Sequence, residues 1–267
     1  MFSTLILLGA LAGADTANVA APSDGVSCCE IVELRQYTLH PGRRDAFIPF
    51  FEREFIESQE AVGNTVIGQF RDLDDADHFT WLRGFADMPE RAKALQAFYG
   101  GDLWKAKRNA ANDFFIDTDN VLLLHAVRPK AAFNLAGMKR AEPGATHDPR
   151  GLLVATVYSF AAPVDAQFVE FFERHMRKAL AGSGIDLRGY YASETTPNNF
   201  PRLPVREKEH VFVWFALYED RVDYDRHRQR LEATAEWRDR VVPRLQQLAS
   251  APQILRLAPT PRSRLHD

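Results

Sequence analysis

From Glu30 to Leu39 apolar and polar residues alternate along a run rich in Ile, Val, Leu and Tyr, which predicts a β-strand. His40-Pro41-Gly42 ends it. From Arg43 to Ala61 the apolar positions change period: Phe47, Phe50, Phe51 and Phe55 fall three and four apart, one face of a helix, and Gly63-Asn64 stops it. Thr65–Phe70 and His78–Phe85 read as two further strands around an acidic turn at Asp72–Asp77. Asp87-Met88-Pro89 starts a second helix, with Asp as cap and Pro in the first turn. The helical pattern continues to about Asp113 with a break at Gly100-Gly101, and Asn120–Val127 is a fourth strand. The order β-α-β-β-α-β is the ferredoxin-like unit, an antiparallel sheet with both helices on one face and the other face in need of a partner.

The chain then runs through the same pattern again. Strands are expected at 151–160, 187–193, 211–218 and 253–257, and helices at 164–180 and 220–249, the latter interrupted by Pro243. Identities support the correspondence. Phe47–Arg53 (FIPFFER) matches Phe168–Arg174 (FVEFFER), Tyr37 matches Tyr158 and Gly68 matches Gly189, all 121 positions apart. Beyond them the spacing becomes 133, pairing Trp81 with Trp214 and Trp104 with Trp237. The difference of 12 is one insertion in the second copy, Thr195–Arg206. A repeat this long implies a doubled domain. We therefore expect an α+β fold of two tandem ferredoxin-like βαββαβ units whose sheets face each other as a barrel-type pseudo-dimer. Its divisions would be an N-terminal segment 1–29, a first unit 30–128, a linker 129–150, a second unit 151–258 and a polar tail 259–267.

Composition adds mainly exclusions. A net charge of −3 and the absence of a basic stripe give no case for nucleic acid. No apolar run approaches the length of a transmembrane span. Phe2–Ala14 resembles the apolar core of a secretory signal but lacks a preceding Lys or Arg, which leaves export open and tilts the expectation towards a cytoplasmic protein. The two cysteines, Cys28 and Cys29, are adjacent and read as small residues at a strand entrance rather than as a disulfide or a zinc site. No nucleotide-binding or hydrolase motif and no metal-ligand spacing is present.

The runs VELRQYTLHPGRRDAFIPFFEREF and HFTWLRGFADMPERAKALQAFYGGDLWKAKRNAANDF resemble the NIPSNAP family, strongly over residues 30–128 and more weakly over 151–258. The resemblance implies a dimeric α+β barrel, similar in fold to antibiotic-biosynthesis monooxygenases and chlorite dismutases, without an established activity. Haem-binding relatives of that barrel use a helix histidine, for which His175 and His227 would be the places here, although no cofactor is expected.

Strand parity selects the candidate ligand residues. Arg35 and Tyr37 share one face of the first strand, and Trp81 and Arg83 one face of the third. Pointing into the barrel they would suit an anionic or planar ligand; alternatively the arginines pair with acids on the surface. Tyr158, Tyr191 and Trp214 are the second unit's candidates, open equally to a core role. The Pro-rich insertion would supply Asn199, Arg202 and Arg206 as a lid, or be an ordered surface loop. The glutamates of the two FFER runs, Glu52 and Glu173, are expected in solvent. Functionally the chain reads as a small-molecule-binding or scaffolding tandem barrel. The alternative is a cofactor-independent oxygenase or isomerase, acting on an aromatic or carbonyl compound with Tyr37, Arg35 and Arg83 as acid or oxyanion stabilisers. It needs no partner beyond a small molecule, and unpaired strand edges would allow a homodimer.

Overall fold

The computed structural model describes residues 28–267, so the apolar segment at Phe2–Ala14 lies outside the described residues. The first half contains β1 (Ile31–Leu39), α1 (Arg44–Glu54), α2 (Ile56–Glu60), β2 (Thr65–Asp72), β3 (His78–Phe85), α3 (Met88–Gly100), α4 (Asp102–Asn112), the short β4 (Phe115–Asp117) and β5 (Val121–Ala126). The second half contains β6 (Leu152–Phe160), α5 (Ala166–Phe171), α6 (Arg177–Gly182), β7 (Asp186–Ser193), β8 (His210–Tyr218), α7 (Arg221–Ala233), α8 (Val242–Leu248) and β9 (Gln253–Pro259). Asp87, Asp165 and Asp220 cap their helices through side-chain acceptance of a backbone N–H three residues on. Glycines at Gly63 (φ +97°) and Gly184 (φ +79°) follow helix ends in the left-handed conformation that other residues avoid.

Eight strands close on themselves in the order β1-β3-β2-β9-β6-β8-β7-β5, every pairing antiparallel. The two halves meet at β2–β9 and β5–β7, so each ferredoxin-like sheet has its edges sealed by the other. Closure leaves those eight strands no unpaired edge, the route by which the sequence allowed a homodimer. The barrel is packed solid. Leu34, Leu82, Phe70, Phe133, Tyr191, Phe215 and Leu265 belong to one buried cluster drawn from both halves. The helices lie outside, over the opposite face of each sheet.

Two segments cross from one half to the other. After β5 the chain turns back so that Phe133 enters the barrel core, its N–H donating to the Tyr191 hydroxyl at 2.8 Å. After β9 the tail does the same over the first half, with Thr260, Arg262, Ser263 and Leu265 all buried. It is anchored by Glu52 of α1, whose Oε1 accepts from Thr260 Oγ1 at 2.6 Å and from the Arg262 N–H at 2.9 Å. Glu52 is therefore buried, against the expectation of a solvated helix charge. Each crossing segment lies against a matched glycine at a β-bulge. A side chain at Gly68 would meet Ser263 Oγ at 2.7 Å, and one at Gly189 would meet the Ala131 carbonyl at 3.2 Å.

Helical expectations hold with local changes. The helix expected over 43–61 breaks at Phe55, where the chain is neither α1 nor α2. In the second half the breaks are replaced by π-helical turns, Phe172–Met176 between α5 and α6 and Glu236–Val241 before α8. Cys28 and Cys29 are joined as a disulfide, contrary to the expectation of two free thiols, and Cys29 packs in the barrel core beside Gly84.

A Cβ at Gly84 would sit 2.2 Å from Cys29 Sγ, whereas one at Gly182 meets nothing within 4 Å. Gly84→Ala is expected to lower stability by about 1–3 kcal/mol, and Gly182→Ala to change it by no more than about 0.5 kcal/mol. Urea unfolding midpoints of the two variants check this.

Candidate functional site

Odd-numbered residues of β1 and β3 face the helices, not the barrel interior. Tyr37, Phe79 and Trp81 pack with Phe47, Phe51, Phe55 and Phe98, while even-numbered Val32, Leu34 and Leu82 fill the barrel. The expectation that Arg35, Tyr37, Trp81 and Arg83 share a face is met, but that face is the one beneath α1–α4.

There a single carboxylate gathers three guanidiniums. Glu33 Oε2 accepts from Arg35 Nη1 at 2.5 Å and Arg83 Nε at 2.8 Å, and Oε1 accepts from Arg91 Nε at 2.7 Å. All four residues are completely buried. Pairing in register explains the first contacts, because Glu33 lies opposite Arg83, and Arg35 opposite Trp81. Arg91 arrives from α3, whose first turn is fixed over the end of β3 by the Asp87 cap. Burial alone would raise the Glu33 carboxyl; the attraction of Arg83, Arg35 and Arg91 overcomes it and holds the group well below the usual carboxylate range.

Three cations against one anion leave two positive charges without a counter-ion among the described residues. Aromatic faces take up part of the excess. The Trp81 ring has the Arg35 and Arg83 guanidinium carbons at 5.7 and 5.2 Å, and Tyr37 and Tyr99 add contacts at 5.4 and 5.9 Å. The Nη2 atoms of Arg83 and Arg91 each lie 2.7 Å from Glu33. Among the described residues Arg35 Nη2 has no partner, and neither does the buried Trp81 Nε1.

Beside this cluster lies a cavity of about 140 Å³ between sheet and helices. Phe51, Phe55, Phe98, Trp104 and Phe115 supply apolar wall, and Tyr37, Gln59, Trp81 and Tyr99 the polar wall. The arginines stand one layer behind: Arg35 Nε donates to the Tyr37 hydroxyl at 2.8 Å, and Arg83 Nη1 to Gln59 Oε1 at 3.0 Å. Burial pushes the Tyr37 phenol up, against the pull of Arg35, so the hydroxyl keeps its proton. That proton has no protein acceptor among the described residues.

The remaining candidates divide among other places. Asn199 reaches the cluster: its Oδ1 accepts from Arg91 at 2.7 Å and its Nδ2 donates to the Met88 carbonyl at 2.6 Å. Its neighbour Asn198 accepts from Arg91 at 3.0 Å, Phe200 stacks on Tyr99, and Leu203 joins the cavity wall. The insertion from the second half thus closes a site in the first. Arg202 is exposed, and Arg206 pairs with Glu209 and Asn120 at the base of the loop; neither turns inward as expected. Tyr191 is spent on the Phe133 backbone inside the barrel. Tyr158 and Trp214 lie beneath the second half's helices.

Sequence reasoning missed Arg91, Gln59, Tyr99 and Asn198. Arg91 carried a signal, since Met88-Pro89 at a helix start predicts where the first turn docks. Both histidines considered for haem contact a carboxylate. His227 has both ring nitrogens engaged, by the Ser183 carbonyl at 2.6 Å and Asp223 at 3.2 Å. His175 holds Glu236 at 2.6 Å, and the five cavities described here have no histidine in their walls. Among the described residues no group of His, Cys, Asp and Glu could hold a metal ion, and no helix is long and apolar enough to cross a membrane.

The NIPSNAP family model matches residues 32–128, the span that carries Glu33 and all three arginines. Over residues 32–128 the chain is similar to the NIPSNAP family. A NIPSNAP-like domain protein from Burkholderia xenovorans is 26% identical over 42% of this chain and 86% of its own, with a TM-score of 0.34. Over the whole barrel the likeness is to larger proteins. A protein described as a candidate monooxygenase from Fusobacterium nucleatum subsp. nucleatum (TM-score 0.51, 12% identity) covers 86% of this chain and 92% of its own. An anthrone oxidase-like protein (TM-score 0.51, 12% identity) covers 90% and 98%. At such identities these matches show a shared fold. No curated protein matches the chain.

Removing the Glu33 charge leaves three buried guanidiniums facing one another. Glu33→Gln is expected to cost about 3–5 kcal/mol, read from chemical unfolding. A carboxyl depressed in the folded state contributes its full stability above its ordinary value of 4.5 and loses it as pH falls below that. The wild type should therefore lose stability below pH 4.5 more steeply than Glu33→Gln does.

Proposed function

We propose that the NIPSNAP-like domain binds a small aromatic molecule carrying one anionic or strongly accepting oxygen end, in the cavity between its sheet and α1–α4. The observation that carries this reading is the unanswered donor on the cavity wall, the Tyr37 hydroxyl, backed by two uncompensated positive charges among the described residues. Buried donors without acceptors and buried cations without counter-ions are costly. A ligand carboxylate, enolate or phenolate would answer both. The apolar wall sets the rest of the molecule. A cavity of about 150 Å³ is sufficient for one benzene ring, which matches the 140 Å³ here. The biochemical activity of the family is uncharacterised, and this reading is one of binding with a defined polarity.

Benzoate and toluene, equal in ring and opposite in charge, test it by calorimetric titration. Benzoate is expected to bind and toluene to bind at least tenfold more weakly. Tyr37→Phe, which removes one charge-assisted donor, should weaken benzoate about tenfold. Equal affinities for the two probes, or no benzoate binding, would overturn the reading.

A further inference from the structure

The second half repeats the register of the first with its charges removed. Tyr158 lies opposite Phe212 as Tyr37 lies opposite Phe79, and Thr156 lies opposite Trp214 as Arg35 lies opposite Trp81. Val154 opposite Ala216 replaces Glu33 opposite Arg83. The residue 133 positions beyond Arg91 is Tyr224. The tyrosine and tryptophan that wall the first cavity are kept, and the four ionised groups behind them are Val, Thr, Ala and Tyr.

A cavity persists there. It measures about 170 Å³ and is walled by Tyr158, Trp214, Tyr218, Tyr224 and Trp237. A second hollow of about 480 Å³ shares Tyr158, Trp237 and Pro252 with it. Trp237 is carried by the π-helical turn Glu236–Val241, a local geometry that recurs at functional positions. The nearby ionised side chains, Arg228 and Glu232, pair with each other at 2.9 Å and add no net charge.

One donor in this wall is unanswered among the described residues, the Tyr158 hydroxyl, whose proton finds no protein acceptor. The buried Trp214 indole N–H leans on the Tyr158 oxygen from behind, in a looser geometry than an ordinary hydrogen bond. Burial pushes the Tyr158 phenol up to about 12, so it remains protonated. A packed core would pair such a group or replace it by an apolar one.

We infer that this second cavity is an independent binding site for a neutral planar aromatic molecule bearing a carbonyl or comparable acceptor oxygen. The acceptor takes the Tyr158 proton, with the Trp214 indole N–H behind the hydroxyl, and the ring packs among Tyr218, Tyr224 and Trp237. Discrimination against an anion follows from the walls, which offer it no uncompensated cation. The inference does not rest on the reading of the first cavity, because the two sites share no wall residue.

The test follows 4-fluoroacetophenone and 4-fluorobenzoate by ¹⁹F NMR against the full chain. The ketone is expected to bind saturably and to remain bound when benzoate is added in excess. Ile254→Trp, which fills the cavity from β9, should weaken the ketone at least tenfold. Tyr158→Phe keeps the ring and removes the donor, and should weaken it about three- to tenfold; it decides the matter if Ile254→Trp does not fold. Tyr37→Phe should leave ketone binding unchanged. No saturable binding of the ketone, unchanged affinity in a folded cavity variant, or competitive displacement by benzoate would overturn the inference, whatever the outcome of benzoate titration at the first cavity.

Discussion

The Glu33 carboxylate is the contact on which the first half is organised. It draws together residues from β1, β3 and α3, and through Arg91 it reaches Asn198 and Asn199 in the loop contributed by the second half. Remove it and the surrounding arginines repel. Leave it and the three guanidiniums are fixed, with Arg35 Nη2 the nitrogen left without a partner among the described residues. The arginines in turn orient the Tyr37 hydroxyl and Gln59 towards the cavity. A buried ion cluster of this kind is weak evidence for stability, since burial opposes it at every member. It specifies instead how helix layer, sheet and loop must be arranged for the cavity to exist.

The order and type of the main elements were legible in the sequence, because period-two and period-3.6 patterns are distinct and the Asp caps and turn glycines mark the boundaries. The short β4 was not, since Phe115–Asp117 has too few residues for a pattern. The site was half legible. Parity correctly grouped Arg35 with Tyr37 and Trp81 with Arg83, but parity cannot say which side of a sheet faces a helix. In this fold both sides are buried, one by the opposing sheet and one by helices, so a charged face could not be assigned to solvent or interior by polarity. The buried Glu52 misled for a related reason: a Glu-Arg pair on a helix normally reads as solvated, and only the returning tail residues Thr260 and Arg262 reverse that.

The loop and the tail show how the halves depend on each other. The barrel core receives Phe133 from the segment after β5 and Leu265 from the segment after β9, and each segment lies against the other half's bulge glycine. The insertion adds a third crossing, placing Phe200 on Tyr99 and Leu203 on the cavity wall. Isolated halves would therefore expose both a sheet face and the seats of these segments.

Joining the two halves in one polypeptide has a consequence for divergence. In a dimer of identical subunits around a two-fold axis, every substitution appears in both pockets at once, so polarity cannot be changed in one without the other. Here the cross-strand pair Glu33–Arg83 corresponds to Val154–Ala216 in the second half, and the four are separate positions of one sequence. Covalent tethering also makes the association intramolecular, so dilution does not part the halves. One pocket can keep its ions while its counterpart sheds them, and a single molecule can present two chemically unlike chambers in a fixed ratio of one to one.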